Sequence, residues 1–95
     1  MFRGITKLSR AYHEVKDMKE FKRLVKELNV PYVIDFYADW CGPCKQLTPI
    51  ITKLEHEANG KWTLLKVNVD EEDMSELVEK HHVSGVPTLA IYKGA

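Results

Sequence analysis

Residues Val30 to Ala38 form a nearly unbroken apolar run, rich in β-branched and aromatic side chains, and no other feature restricts the fold as much. A run of this length and composition reads as a strand buried on both faces, the situation of a central strand in a largely parallel sheet with helices on each side. Its one interruption is a carboxylate, Asp35. The neighbouring segments fit that layered arrangement. Ala11 to Lys16 reads as a short first strand. Asp17, with Glu20 three residues on, carries a capping-box signal. Met18, Phe21, Leu24, Val25 and Leu28 then recur at helical spacing, which predicts a helix over Met18 to Leu28, closed by Asn29 before Pro31.

After the tight connection Trp40 to Pro43, a second helix is expected from Cys44 to Ala58, with Leu47, Ile50, Ile51 and Leu54 as its inner stripe. Pro49 should kink it, and Asn59-Gly60 should end it. Trp62 to Asp70 repeats the apolar, β-branched strand signal, with Trp62 opening it in the core. Asp73 and Glu76 predict the cap of a third helix bearing Met74, Leu77 and Val78, and the acidic stretch Asp70 to Asp73 reads as its solvated start. Ser84-Gly85 marks a loop, and Thr88 to Lys93 a last strand. The order β-α-β-α-β-α-β implies one layered α/β domain with a largely parallel sheet.

Composition narrows the function classes. The chain has 95 residues, enough for one core, and 14 basic against 14 acidic side chains. That balance gives no electrostatic reason to expect nucleic acid or an anionic membrane as partner. No apolar run approaches the ~18 residues of a membrane span. The first residues differ from the rest. Arg3, Lys7 and Arg10 occur with no acid before Glu14, and on a helix they fall opposite Met1, Ile5, Leu8 and Tyr12. Residues 1–11 therefore read either as a transit-peptide-like segment or as a flexible, solvated extension to a domain over 12–95.

Two cysteines, Cys41 and Cys44, are too few for a secreted disulfide scaffold. Half a zinc site is one reading of their spacing, but His81 and His82 are adjacent, and His13 and His56 stand alone, so the usual four-ligand separation is lacking. A purely structural disulfide across so short a loop would remove little chain entropy. Redox chemistry accounts for more of the residues. Cys41 lies at a helix start, where unpaired N–H groups and the macrodipole favour an anion, and a thiolate is the species that attacks disulfides. Cys44, one turn along, points the same way and can resolve a mixed disulfide. Gly42 permits a tight approach, and Pro43 is tolerated because a first-turn N–H has no partner to lose.

The segment Val33-Ile34-Asp35-Phe36-Tyr37-Ala38-Asp39-Trp40-Cys41-Gly42-Pro43-Cys44-Lys45 resembles the active-site region of the thioredoxin family. Pro49 matches that family's helix-kinking proline, and Gly85-Val86-Pro87-Thr88 resembles its cis-proline loop. The resemblance runs from about Tyr12 to Gly94. It implies an α/β thioredoxin fold, with a central mixed, mostly parallel sheet flanked by helices, and a protein-disulfide reductase, with Cys41 as nucleophile and Cys44 as resolving thiol in a Cys41–Cys44 redox disulfide. No bound cofactor is implied, and NADPH would act indirectly through a thioredoxin reductase.

Asp35 should be hard to ionise in its apolar strand. The resemblance assigns it proton transfer, through water, when Cys44 attacks the mixed disulfide, and makes Lys66 its neighbour; the alternative is a plain Asp35–Lys66 pair or a satisfied buried hydrogen bond. The resemblance also implies a cis Val86–Pro87 bond, with Gly85, Val86 and Pro87 beside the cysteines and the Val86 backbone free to pair with an extended substrate, and it makes Trp40 a substrate-facing platform. An ordinary trans proline opening an edge strand is the competing reading. His81 and His82 carry no catalytic argument.

Family members normally continue past the position of Gly94 with a strand and a helix. The expectation is therefore either a fragment or a chain that dimerises through the exposed edge strand Thr88 to Lys93. Expected partners are thioredoxin reductase and disulfide-containing client proteins, with no nucleic acid and no membrane. The expected location is a reducing one, the mitochondrial matrix or the cytoplasm. Two rival functions remain at this point: a protein-interaction module whose redox state only switches affinity, and an oxidant or isomerase of an oxidising compartment.

Overall fold

The computed structural model describes residues 12–93, so the basic amphipathic reading of residues 1–11 lies outside the described residues. The elements are β1 (His13–Val15), α1 (Met18–Glu27), β2 (Tyr32–Tyr37), α2 (Gly42–Glu57), β3 (Thr63–Asn68), a 3-10 turn (Glu72–Met74), α3 (Ser75–Lys80) and β4 (Thr88–Tyr92). The sheet order is β1-β3-β2-β4. β1, β3 and β2 run parallel, and β4 pairs with β2 antiparallel, so the sheet is mixed as expected.

Alternation along β2 sorts the interior into two layers. Ile34 and Phe36 point to one face, where they meet Val15, Leu65 and Val67 of the neighbouring strands, Phe21 and Leu24 of α1, and Met74 and Leu77. Val33 points to the other face and packs with Leu64 and Ile51 of α2. Phe36, Ile34, Leu64 and Leu65 are each fully buried, and each contributes about 1.5–3 kcal/mol of hydrophobic stabilisation. Asp35, alternating with Ile34 and Phe36, therefore lies on the α2 face.

α1 begins as expected, with the Asp17 side chain accepting the Glu20 N–H at 2.7 Å. The reciprocal contact is displaced by one residue, because the Glu20 carboxylate accepts from the Lys16 N–H. Leu28, rather than Asn29, is the closing residue.

α2 starts two residues earlier than Cys44, since Gly42 and the N–H-free Pro43 occupy first-turn positions that need no donor. Its predicted stripe is half corrected. Ile51 is buried, but Ile50 and Leu54 are 57% and 50% exposed. The buried side runs instead through Cys44, Ile51 and Glu55, at the same helical spacing but shifted by one position. Asn59 and Gly60 adopt left-handed backbone angles just past α2, as the sequence suggests.

At α3 the predicted Asp73 cap is absent. A 3-10 turn precedes the helix, and neither element has a side-chain cap bond. Trp62 lies one residue before β3 and only packs against the Val33–Leu64 cluster.

Candidate active site at the start of the second helix

The chain leaves β2 at Tyr37 and turns through Ala38, whose carbonyl accepts the Cys41 N–H at 3.2 Å. Cys41 then serves as the N-cap of α2, and its Sγ accepts the Cys44 backbone N–H at 3.1 Å. The sulfur thus occupies the position that a capping serine or aspartate oxygen takes elsewhere. Pro43 contributes no N–H, so among the first-turn amides the one hydrogen bond seen at this sulfur comes from Cys44. Cys41 and Cys44 form a disulfide across a Cα–Cα distance of 5.3 Å. Both residues are 3% exposed and pack with Ala38, Tyr37, Val69 and Val86.

Val86 in that cluster brings the second loop to the cysteines. The Val86–Pro87 peptide is cis, and the Thr88 hydroxyl donates to the Gly85 carbonyl at 2.6 Å. Trp40 is 71% exposed, yet it is not loose: its Nε1–H donates to Asp70 Oδ2 at 2.8 Å. Asp70 is thereby more than the solvated helix start expected of it. Between Trp40, Val69, Val78, Gly85 and Val86 lies an open groove of about 280 Å³. A Cβ added at Gly42 or Gly85 would meet no atom within 4 Å. Among the described residues the expected tight approach at Gly42 is therefore not made, and both glycines leave open space.

Behind the cysteines, the α2 face of the sheet carries a row of charge. Glu14 on β1 pairs in register with Lys66 on β3, and Lys66 with Asp35 on β2. Asp35 is 1% exposed and its Oδ1 has no hydrogen-bond partner. Burial pushes its carboxyl above the usual carboxylate range, the Lys66 ammonium partly offsets this, and Glu14 adds to the rise.

Lys66 is 7% exposed. Its Nζ donates to Thr48 Oγ1 at 3.4 Å and lies 4.4 Å from the Tyr37 ring centroid. The Thr48 hydroxyl in turn donates to the Cys44 carbonyl at 3.0 Å, so a chain of two hydrogen bonds links Lys66 to the α2 turn that holds Cys44. Tyr37 OH donates to Glu14 Oε2 at 2.6 Å. Burial and that hydrogen bond push the Tyr37 phenol well up.

The residues singled out in the sequence thus fall into two groups. Trp40, Gly42 and Pro43 adjoin the Cys41–Cys44 disulfide along the chain, the Gly85–Pro87 loop reaches it through Val86, and Asp35 and Lys66 lie on the α2 face of the sheet. Thr48, Glu14, Tyr37 and Asp70 were not foreseen as part of the site. The signals were faint: a hydroxyl four residues after Cys44, and an acid breaking the short β1 pattern. Among the described residues no group of three or more His, Cys, Asp or Glu side chains could hold a metal ion, and no helix is long and apolar enough to cross a membrane.

Comparison with known proteins agrees with this geometry. Residues 12–95 match the family model described as Thioredoxin. The thioredoxin of Rickettsia felis is 41% identical over 73 residues, which are 77% of this chain and 68% of that protein. Among solved structures, oxidised thioredoxin O1 of Arabidopsis thaliana superposes with a TM-score of 0.79 at 33% identity, over 90% of this chain and 78% of the other. Mitochondrial thioredoxin 3 of Saccharomyces cerevisiae, also oxidised, gives 0.75 at 34% identity, over 86% and 74%.

Proposed function

The chain belongs to the thioredoxin family and is a thiol–disulfide oxidoreductase; from that premise we propose a division of labour among its residues. Cys41 is the attacking sulfur. Its thiolate bonds to one sulfur of a client disulfide, the client's other sulfur leaves as a thiolate, and a mixed disulfide remains. Cys44 then loses its proton to Asp35, through water, and attacks Cys41 Sγ. The second client sulfur departs as a thiolate and is protonated from solvent. Two electrons pass from the dithiol to the client, and the Cys41–Cys44 disulfide is left behind.

The observation that carries this reading is the Cys41 sulfur held as the N-cap of α2 and receiving the Cys44 N–H. A donor aimed at sulfur stabilises negative charge there. Asp35 suits a proton carrier because its burial brings its proton affinity toward that of the thiol it serves. Lys66, its cross-strand neighbour, partly offsets the burial of that carboxylate through its charge. Trp40, held by Asp70, and Gly85, Val86 and Pro87 supply the docking surface, with the Val86 backbone pairing with an extended client segment.

As in the family, the electron pair is stored on the two sulfurs without a bound cofactor, and a thioredoxin reductase fed by NADPH restores the dithiol. Clients are proteins with accessible disulfides. A reducing compartment, the mitochondrial matrix or the cytoplasm, suits this chemistry, and one relative of similar fold is a mitochondrial protein. A second copy pairing along β4, which among the described residues has β2 as its one neighbour, is part of the proposal on partners. Sedimentation as a monomer at high protein concentration would exclude that pairing.

Insulin reduction tests the central assignment. Cys41→Ser should abolish turnover, and Cys44→Ser should accumulate mixed disulfides with the client. Full activity of folded Cys41→Ser would falsify the assignment of the nucleophile.

A further inference from the structure

The cross-strand row beneath α2 contains two carboxylates and one ammonium. Lys66 stands between Glu14 on β1 and Asp35 on β2, one strand away from each. Its Nζ is directed to Thr48 Oγ1 and to the face of Tyr37 rather than bonded to Asp35, and Asp35 Oδ1 is left without a partner. The same Tyr37 clamps the Glu14 carboxylate through a 2.6 Å hydrogen bond. One tyrosine therefore fixes both ends of the arrangement: its ring underlies the ammonium, and its hydroxyl holds the competing acid.

We propose that Glu14, pinned by Tyr37, is a positioning residue of the redox site, and that by sharing the Lys66 ammonium with Asp35 it keeps Asp35 a strong enough base to take the proton of Cys44. This inference rests on the role assigned to Asp35 above. Charged and titratable groups enter this layer from every element packed on it: Glu14 from β1 with Tyr12 just before it, Asp35 and Tyr37 from β2, Lys66 from β3, and Glu55 from the inner side of α2. Among the described residues Lys66 is the one cation in this layer, so its field is divided. Removing either anion leaves more of it for the other. The rise in the Asp35 carboxyl to which Glu14 contributes agrees in direction.

The test is Glu14→Gln in the full chain, a substitution that keeps the side-chain size and an acceptor for Tyr37 OH. Charges two strand spacings (~10 Å) apart in a medium of effective dielectric ~20 couple by about one pH unit. The Asp35 carboxyl, followed by carbon-13 NMR in the reduced protein, should titrate about one pH unit lower in Glu14→Gln. The pH midpoint of the Cys44 resolving step, followed by release of client from a preformed mixed disulfide, should fall with it. Glu14→Asp, which keeps the charge, should restore both toward wild type.

An unmoved Asp35 titration in folded Glu14→Gln overturns the proposal, because a merely structural Glu14 would alter stability and leave that midpoint alone. Asp35→Asn separates the two levels of the argument. If Asp35→Asn resolves mixed disulfides at the wild-type rate, the role of Asp35 fails. If Asp35→Asn is slow while Glu14→Gln keeps the wild-type midpoint, only the role of Glu14 fails.

Discussion

Replacing Asp35 by Asn should make the fold more stable at pH 8 while slowing the resolving step. The carboxylate is 1% exposed and one of its oxygens has no partner, and desolvating such an ion costs several kcal/mol. Lys66 on the adjacent strand returns up to ~3 kcal/mol if the charges sit one strand spacing apart at an effective dielectric of ~20. Its Nζ is turned toward Thr48 and Tyr37, so it returns less. The upward direction of the Asp35 carboxyl says that burial wins, and a net cost of about 1–3 kcal/mol is the expected scale for an incompletely paired buried group.

The sign follows from linkage. The folded state holds the Asp35 proton more tightly than the unfolded chain. Stability is therefore full below the unfolded value near ~4 and is lost as pH rises toward the folded value. The Asn variant carries no such loss. Urea denaturation of the disulfide form from pH 4 to pH 8 should find the variant about 1–3 kcal/mol more stable at pH 8 and within ~0.5 kcal/mol of wild type at pH 4. In Tm, each kcal/mol amounts to roughly 4–8 °C for a domain of this size. An equal effect at both pH values, or a destabilised variant at pH 8, would refute the reasoning.

Two further outcomes follow from the groove and the core. Asp70→Ala frees the Trp40 indole; KM for a protein disulfide should rise several-fold, while the rate with a small aromatic disulfide stays near wild type, and a uniform loss on both substrates would count against Trp40 as a docking platform. Phe36→Ala removes the largest fully buried side chain and should cost about 3–5 kcal/mol in urea denaturation, against Leu89→Ala on the half-exposed edge strand, which should cost well under half of that.

The layered fold and the cysteine site were legible because each rests on local chemistry. A buried central strand leaves an apolar run, a redox pair leaves its spacing, and Asp17 writes its cap beside the helix it starts. What escaped depends on contacts between distant segments. The inner side of α2 was misjudged by one position because Ile50 and Leu54 have the right spacing for burial but the wrong azimuth, which only docking on the sheet decides. Asp73 looked like a cap, yet it lies inside a 3-10 turn that leads into α3, and neither element has a side-chain cap bond. Glu14 and Asp70 acquire meaning only through Tyr37 and Trp40, 23 and 30 residues away.

The row Glu14–Lys66–Asp35 also bears on how the strands find their alignment. Side chains alternate between faces, so sliding β3 by a single residue would carry the Lys66 ammonium from beneath α2 into the hydrocarbon packed around Phe36 and Met74. A slip of β2 would do the same to Asp35. Misaligned sheets would thus bury a bare ion in oil, a penalty of several kcal/mol that three apolar residues in those places could never impose. The row beneath the redox cysteines thus also acts as a proofreader of the protein's assembly.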